Sequence, residues 1–151
     1  MLFSRDWLAE YVAVPPGADG AAELAARLTA AGLTVETLEA QGDDWALDVD
    51  VTTNRTDCMN HLGLARETAV VFDLPLRLPG ALAGESIAES ATPVGDAARL
   101  TVEDPTGCPR YVARVVRGVE VGPSPDWLAR RLTAIGQRPI NNVVNVTNFV
   151  L

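Results

Sequence analysis

The sequence predicts an α+β fold made of two units. Alternating apolar and polar residues mark short strands, and apolar residues spaced three or four apart mark helices between them. Residues 80–98 are rich in Ala, Gly, Ser and Glu without any period, which is typical of a linker. We therefore expect a small unit of helices and a short antiparallel sheet over residues 1–79, and the first part of a second α+β unit over residues 99–151.

Composition indicates a soluble, cytoplasmic protein. Apolar residues make up 48% of the 151 residues and charged residues 21%, enough for a core and typical of a globular chain. No apolar run approaches the roughly 20 residues of a membrane span, and the chain does not begin with a signal pattern. Its two cysteines, Cys58 and Cys108, form neither a disulfide framework nor a zinc set, so both are expected to be reduced.

Charge is distributed unevenly along the chain. Residues 1–109 hold 6 arginines and 18 acids, a net charge of −12, whereas residues 110–151 hold 6 arginines and 2 acids, a net charge of +4; together these give −8. An acidic surface repels phosphates, so any contact with RNA is expected in the last third, although a solvated face is the simpler interpretation. The candidate RNA-facing residues are Arg110, Arg114, Arg117, Arg130, Arg131 and Arg138.

The first unit is predicted to contain three helices and a β-hairpin. The expected helices span residues 5–11, 20–31 and 61–72, and the expected strands span residues 33–38 and 45–51. Ser4 is placed to cap the first helix and Gly32 to end the second. Either Asn60 or Asp57 is placed to cap the third.

The second unit is predicted to begin with strands and to end with helices. Strands are expected at residues 99–103 and 111–121, where valines alternate with polar residues. Ser124 as N-cap, with Pro125 at the first helical position, predicts a helix that ends at Gly136. Residues 140–151 suit a strand or a helix, and we favour a helix capped by Asn141 or Asn142.

No catalytic constellation is predicted. The chain has no phosphate-binding loop and no dinucleotide fingerprint. His61 is the only histidine, so a site with two histidine ligands cannot form, and we expect neither a catalytic nor a metal-binding residue. The carboxylates of Asp48 and Asp50 alternate along a strand, where a solvated face is the simpler interpretation.

Two polar stretches are unusual. In the loop of residues 52–58, Asn54, Arg55 and Asp57 are predicted to form a hydrogen-bonded knot that fixes the start of the following helix. The stretch 138–149 holds four asparagines and a threonine within eight residues. An amide side chain both donates and accepts hydrogen bonds. Such a run is therefore suited either to binding a small polar ligand or to a backbone-dense junction, a place where side chains bond several backbone groups of neighbouring segments.

These stretches resemble the beta subunits of bacterial phenylalanyl-tRNA synthetases. Residues 52–67 are similar to that family's Thr-x-Asn-Arg-x-Asp-Cys-x-x-His-x-Gly-x-Ala-Arg-Glu signature. Residues 138–150 are similar to its Arg-Pro-Ile-Asn-Asn-Val-Val-Asp-Val-Thr-Asn-Tyr-Val segment. The chain departs from the pattern at four positions: threonines replace the usual prolines at Thr53 and Thr56, Asn145 replaces Asp, and Phe149 replaces Tyr.

The resemblance implies a first domain that is split in sequence, followed by the start of an editing domain. The OB-type tRNA-binding module that interrupts the first domain in the family is missing here, and the chain is expected to be truncated before the rest of the editing pocket. Within that pocket, Asn148 is the one residue that the resemblance assigns, as a hydrogen-bonding group toward substrate. The implied partners are an alpha subunit, in an assembly of two alpha and two beta chains, and tRNA(Phe).

The function expected from the resemblance is that of a non-catalytic piece of an aminoacyl-tRNA synthetase. In the whole enzyme it would contribute to assembly, to aminoacylation and to editing, with ATP and magnesium bound elsewhere and no cofactor on this chain. A free-standing editing or tRNA-binding module that acts on mischarged tRNA is the alternative, and a protein-interaction domain is a third.

Overall fold

The structure, a computed structural model, describes residues 1–80 and 88–150 and has an α+β fold. Its elements lie along the chain in the order β1 (Leu2–Ser4), α1 (Arg5–Tyr11), α2 (Gly17–Ala30), β2 (Val35–Gln41), β3 (Asp44–Val49), a 3-10 turn (Thr56–Cys58), α3 (His61–Phe72), α4 (Val94–Ala97), α5 (Asp126–Ala134) and α6 (Asn142–Val150). Within these residues no helix is long and apolar enough to cross a membrane.

A three-stranded antiparallel sheet organises the first 79 residues. Its strand order is β1-β3-β2, so the predicted hairpin of β2 and β3 is confirmed and β1 is added beside β3. Phe3 lies opposite Leu47, and Leu38 lies opposite Leu47 on the other side. The sequence analysis missed β1 because three residues are too few to show alternation, and the pairing partner is more than 40 residues away.

The helices of this region begin and end close to their predicted bounds. The Ser4 hydroxyl caps α1 by accepting a 2.9 Å hydrogen bond from the Trp7 N–H, as predicted. Helix α2 begins at Gly17 rather than Gly20, because Pro16 in an extended conformation starts the helix one turn earlier. Gly32 follows this helix with a φ of +93°, the left-handed conformation expected of a glycine stop.

The main core lies on one face of the sheet, beneath α1, α2 and α3. Its members are apolar side chains with almost no exposure, and each Å² of apolar surface that they bury favours folding by about 25 cal/mol. They include Phe3, Leu8, Val12, Leu24, Leu28, Leu33, Leu47, Val49 and Leu64.

Helix α5 contacts β1 and β3 and packs against α6. It buries Leu128, Leu132 and Ala134, and Ala46 of β3 is also buried, outside the main core. The region predicted as a second unit thus packs on residues 1–79. The division at residues 80–98 stays a prediction, and residues 81–87 of that linker lie outside the described part of the chain.

Two predicted strands are wrong. Residues 99–103 and 111–121 have no regular structure, and nearly all of their side chains are exposed. Local alternation predicted these strands, but a strand forms only when a neighbour takes up its backbone hydrogen bonds, and the described chain supplies none. A short helix, α4, lies inside the predicted linker.

The C-terminal helices agree with prediction except at one cap. Helix α5 begins at Asp126 after Pro125, and its N-cap makes no side-chain hydrogen bond. Ser124 therefore does not cap it; its hydroxyl accepts a hydrogen bond from Asn145 instead. Helix α6 confirms the helical interpretation of residues 140–151, and Asn141 caps it by accepting a 2.9 Å hydrogen bond from the Val144 N–H.

Candidate functional site

The predicted knot in the loop before α3 centres on the Arg55 guanidinium. Its Nε and one Nη donate to the two carboxylate oxygens of Asp57 at 3.1 and 3.0 Å, a bidentate pair. The same Nη lies 2.9 Å from a carboxylate oxygen of Glu67 and 2.9 Å from the sulfur of Cys58. Asn54, which was predicted to belong to the knot, instead accepts a 2.6 Å hydrogen bond from the Thr52 hydroxyl and is not hydrogen-bonded to Arg55 or Asp57. The arrangement fastens the loop to the second turn of α3.

The knot continues into the first turn of α3. Asn60 is the cap: its side-chain oxygen accepts a 2.8 Å hydrogen bond from the Gly63 N–H, which decides between the two predicted caps. Gly63 lies directly against the Asp57 carbonyl, so that a Cβ there would overlap it. The helix can approach the loop this closely only because residue 63 has no side chain.

The pKa shifts of Arg55 and Asp57 are those expected of an ion pair held in a fixed geometry. Hydrogen bonding from Arg55 lowers the pKa of Asp57 to about 2, and the same hydrogen bond raises the pKa of Arg55. Burial raises the pKa of the Cys58 thiol to about 11, so the thiol stays protonated at neutral pH.

Three groups of the knot have the spacing of metal ligands. The side chains of Asp57, Cys58 and Glu67 offer ligand atoms within 4.8 Å of one another. The Arg55 guanidinium already contacts all three, and it supplies the positive charge that a metal ion would bring. Because this cation occupies the space between the three groups, the cluster does not fit a metal ion.

Replacing Asp57 by alanine is expected to lower the thermal midpoint. The change removes both hydrogen bonds to Arg55 and leaves that arginine with Glu67 as its remaining carboxylate partner. The reduction should be modest, since more than half of the Asp57 side chain is exposed. Asp50→Ala, at an exposed carboxylate in the same part of the chain, is the control, and equal midpoints for the two variants in calorimetry would refute the structural role.

The asparagine run of residues 141–148 forms a backbone-dense junction. Asn142 donates a 2.8 Å hydrogen bond to the Glu120 carbonyl and accepts one from the Gly122 N–H. Asn145 is fully buried, accepts a 3.0 Å hydrogen bond from the Ile140 N–H and donates to Ser124. Since these amides join α6 to the preceding loops, the run is explained by structure rather than by a ligand. Asn148 is half-buried on the same helix, and its assignment to a substrate stays a prediction.

A stack of rings joins the N-terminal helices to α6. The His61 and Trp7 rings are stacked at 3.8 Å between centroids, and Trp7 is stacked on Phe149 at 4.7 Å. Trp127 meets Phe149 edge-on at 5.5 Å, and the Arg131 guanidinium lies over the Trp127 ring. This stack fixes the position of α6, and no local sequence pattern could reveal it because its members lie far apart in the chain.

His61 is a structural residue. Its Nε2 accepts a 3.1 Å hydrogen bond from the Ser4 N–H, which requires an unprotonated nitrogen. Burial lowers the pKa of the ring from 6.5 to about 3. A buried, neutral histidine whose free nitrogen is already used is not poised for general acid–base catalysis.

The burial of His61 predicts a loss of stability in acid. Between pH 6.5 and about 3 the unfolded chain binds a proton that the folded chain does not, so stability falls as pH falls through this window. The slope is at most roughly 1.4 kcal/mol per pH unit. Denaturant unfolding as a function of pH tests this by comparison with His61→Gln, which lacks the titrating ring. Identical slopes for the two proteins would contradict the assignment.

The candidate RNA-facing arginines divide into two groups. Arg110, Arg114, Arg117, Arg130 and Arg138 are exposed, as a nucleic-acid contact would require. Arg131 is not exposed for contact with a nucleic acid. It is half-buried, forms an ion pair with Glu10 of α1 and stacks on Trp127. Desolvation lowers its pKa. The structure therefore assigns Arg131 to the packing of α5 against α1.

An open cleft of about 840 Å³ lies between α1, the β2–β3 turn and α5. Its walls carry Asp6, Glu10, Asp43, Asp44 and Asp126, with Arg130 and Arg131 on the α5 side. The Ser4 hydroxyl at its edge is already engaged with Asp44 and with the Trp7 N–H. No histidine or cysteine lines this cleft, and its polar lining consists mainly of carboxylates.

One relative matches this chain over its whole length, and one family model matches its C-terminal part. The family model described as the B3/4 domain matches residues 107–151. The phenylalanine–tRNA ligase beta subunit of Rhodopirellula baltica is 44% identical over 151 residues, which is 100% of this chain and 21% of that protein. The same subunit of Geobacter sulfurreducens is 47% identical over 108 residues, which is 72% of this chain and 13% of that protein.

These relatives fix the class of the protein. The relatives are subunits of an aminoacyl-tRNA synthetase, and the B3/4 match agrees with them. Over its full length the chain matches the N-terminal part of phenylalanine–tRNA ligase beta subunits. It spans about a fifth or less of the length of the relatives that it matches.

Proposed function

We propose that the chain serves as a non-catalytic N-terminal part of a phenylalanine–tRNA ligase beta subunit. The identity of 44% over all 151 residues is the observation that carries this proposal. In the whole enzyme, this part contributes to assembly with an alpha subunit, in a tetramer of two alpha and two beta chains. It supports aminoacylation of tRNA(Phe) and editing in the cytoplasm.

The arrangement of the described side chains supports a structural role. Three groups that could do chemistry are engaged in structural contacts: Arg55 holds the carboxylates of the knot, His61 accepts from the backbone, and Cys58 is buried as a thiol. ATP and magnesium belong to the whole enzyme in this proposal. Among the residues described here, the one cluster with metal-ligand spacing does not fit magnesium, because an arginine already contacts its three groups.

A direct experiment is phenylalanine-dependent exchange of pyrophosphate into ATP. The purified chain alone is expected to show no exchange, and the chain co-expressed with the alpha subunit of its own genome is expected to co-purify with it. Exchange by the isolated chain would refute the non-catalytic role. Failure to co-purify, with the chain shown to be folded by circular dichroism, would refute the assembly role.

The B3/4 match over residues 107–151 favours one alternative, a module that edits or binds mischarged tRNA by itself. The half-buried Asn148 and the exposed arginines of this region would then face the tRNA. Two measurements separate the alternatives: hydrolysis of mischarged Tyr-tRNA(Phe), and tRNA binding at moderate salt. Submicromolar binding or measurable hydrolysis by the isolated chain would favour the module, whereas the net charge of −8 leads us to expect neither.

A further inference from the structure

The side chain of Phe149 joins helix α6 to the first 79 residues. Its ring is stacked parallel to the Trp7 ring, with an angle of 5° between the two planes and 4.7 Å between the centroids. Trp127 meets the same ring at 85°, and the Arg131 guanidinium lies 5.6 Å from its centroid. Since these groups contact one flat ring from different directions, the ring has little freedom to turn.

The Trp7 ring is itself fixed in the core. It is 4% exposed, and the face turned away from Phe149 is stacked on the His61 ring at 3.8 Å between centroids. Its Nε1 donates a 3.2 Å hydrogen bond to the Tyr11 hydroxyl, one helical turn later in α1. A buried side chain that is packed on both faces stays in one rotamer, so Trp7 holds Phe149 at a fixed place.

A second contact holds α6 one helical turn before Phe149. The fully buried Asn145 amide donates a 2.7 Å hydrogen bond to the Ser124 hydroxyl and accepts a 3.0 Å hydrogen bond from the Ile140 N–H. Residues four apart lie on the same face of a helix, so Asn145 and Phe149 attach one face of α6 at two successive turns. Two such attachments set the rotation of the helix about its own axis.

The direction of the Asn148 side chain depends on that rotation. Asn148 directly precedes Phe149 and is half-buried, and it takes no part in the hydrogen bonds through which the other asparagines of the run hold the junction together. A helix with its side chains is about 10–12 Å across, so a rotation of about 20° moves a side-chain tip by roughly 2 Å. A misplacement of about 1 Å in a group that positions a substrate can lower a rate by roughly 100-fold.

We propose that Trp7 is a positioning residue for editing. Through Phe149 it sets the rotation of α6, and thereby the direction of the Asn148 amide, the group that the family resemblance assigns to the substrate. This inference rests on the proposed function, since it requires that the whole enzyme hydrolyses mischarged tRNA. It gives the first helix of the chain a part in a reaction whose substrate that helix does not touch.

The test uses a whole enzyme in which residues 1–151 replace the matching segment of the Rhodopirellula baltica beta subunit, together with the alpha subunit of that organism. Hydrolysis of Tyr-tRNA(Phe) and charging of tRNA(Phe) are measured per assembled enzyme. Trp7→Leu and Phe149→Leu each remove a ring and keep an apolar side chain. Both should lower hydrolysis at saturating substrate by roughly 10- to 100-fold and leave charging unchanged. Trp7→Phe keeps a flat ring and should retain most of the rate.

A double variant separates positioning from general loosening of the fold. If Trp7 acts through the Asn148 amide, Trp7→Leu should lower hydrolysis no further once Asn148 is replaced by alanine, whereas independent effects would multiply. Trp45→Leu is the matched control, because it makes the same change at a tryptophan of β3 outside the ring stack, and it should leave hydrolysis unchanged.

The outcomes distinguish this inference from the proposed function. Full hydrolysis by Trp7→Leu, in an enzyme that assembles and charges tRNA(Phe), would overturn the inference alone. So would a multiplied loss in the double variant, or an unsubstituted enzyme that charges tRNA(Phe) without hydrolysing Tyr-tRNA(Phe). If Trp7→Leu does not assemble, Phe149→Leu decides the question from the α6 side of the same contact. An unsubstituted enzyme that neither assembles nor charges would refute the proposed function, and this inference with it.

Discussion

Replacing Gly63 by alanine is expected to lower the free energy of unfolding by about 1–3 kcal/mol or more, the range for overpacking a tight site. The new Cβ would overlap the Asp57 carbonyl oxygen and lie 2.8 Å from its carbon. Both are backbone atoms, so no side-chain rotation can relieve the overlap. Alanine favours a helix interior by roughly 1 kcal/mol over glycine, and this gain is smaller than the expected steric cost.

Gly95→Ala provides the matched control for Gly63→Ala. Gly95 is also helical, in α4, and a Cβ there meets nothing within 4 Å. Its replacement should leave stability unchanged or raise it slightly. If denaturant unfolding gives the two variants the same midpoint, the close contact between α3 and the loop knot does not exist as described.

Replacing Trp7 by alanine should cost about 3–5 kcal/mol, the usual range for a buried tryptophan. Trp7 is only 4% exposed, and its ring lies between His61 and Phe149. Its loss would leave a cavity between α1 and α6 and would admit water to His61. The pKa of His61 should therefore rise toward its ordinary value, which NMR titration of the single histidine can measure directly.

Trp127 is the comparison for Trp7. It meets Phe149 edge-on from the outer side of the stack and is 44% exposed. Trp127→Ala should cost much less than Trp7→Ala and should leave the pKa of His61 unchanged. Equal costs for the two variants, or an unchanged histidine in Trp7→Ala, would show that the ring stack does not join α6 to the N-terminal helices.

Local sequence predicted the elements whose determinants are local. The Ser4 and Asn60 caps lie within three residues of the groups they bind, and Arg55 reaches Asp57 two residues away. These features could be predicted because turn and helix geometry alone brings the groups together.

Features that depend on distant partners could not be predicted. Strand β1 exists because residues 46–48 lie beside it, and Glu67 joins the knot only once α3 has folded. The wrong strands at residues 99–103 and 111–121 show the converse, since their alternation is genuine but no described neighbour completes a sheet. The role of Arg131 was also missed, because Glu10 is far from it in sequence.

A chimeric enzyme provides the most direct test of the account. Residues 1–151 would replace the matching N-terminal segment of the 44% identical Rhodopirellula baltica beta subunit, co-expressed with that organism's alpha subunit. If the chain is a structural part of a phenylalanine–tRNA ligase beta subunit, the chimera should assemble with the alpha subunit and charge tRNA(Phe). The same chimera carrying Gly63→Ala should assemble poorly. A chimera whose 151-residue segment is folded, yet which neither assembles nor aminoacylates, would contradict the account.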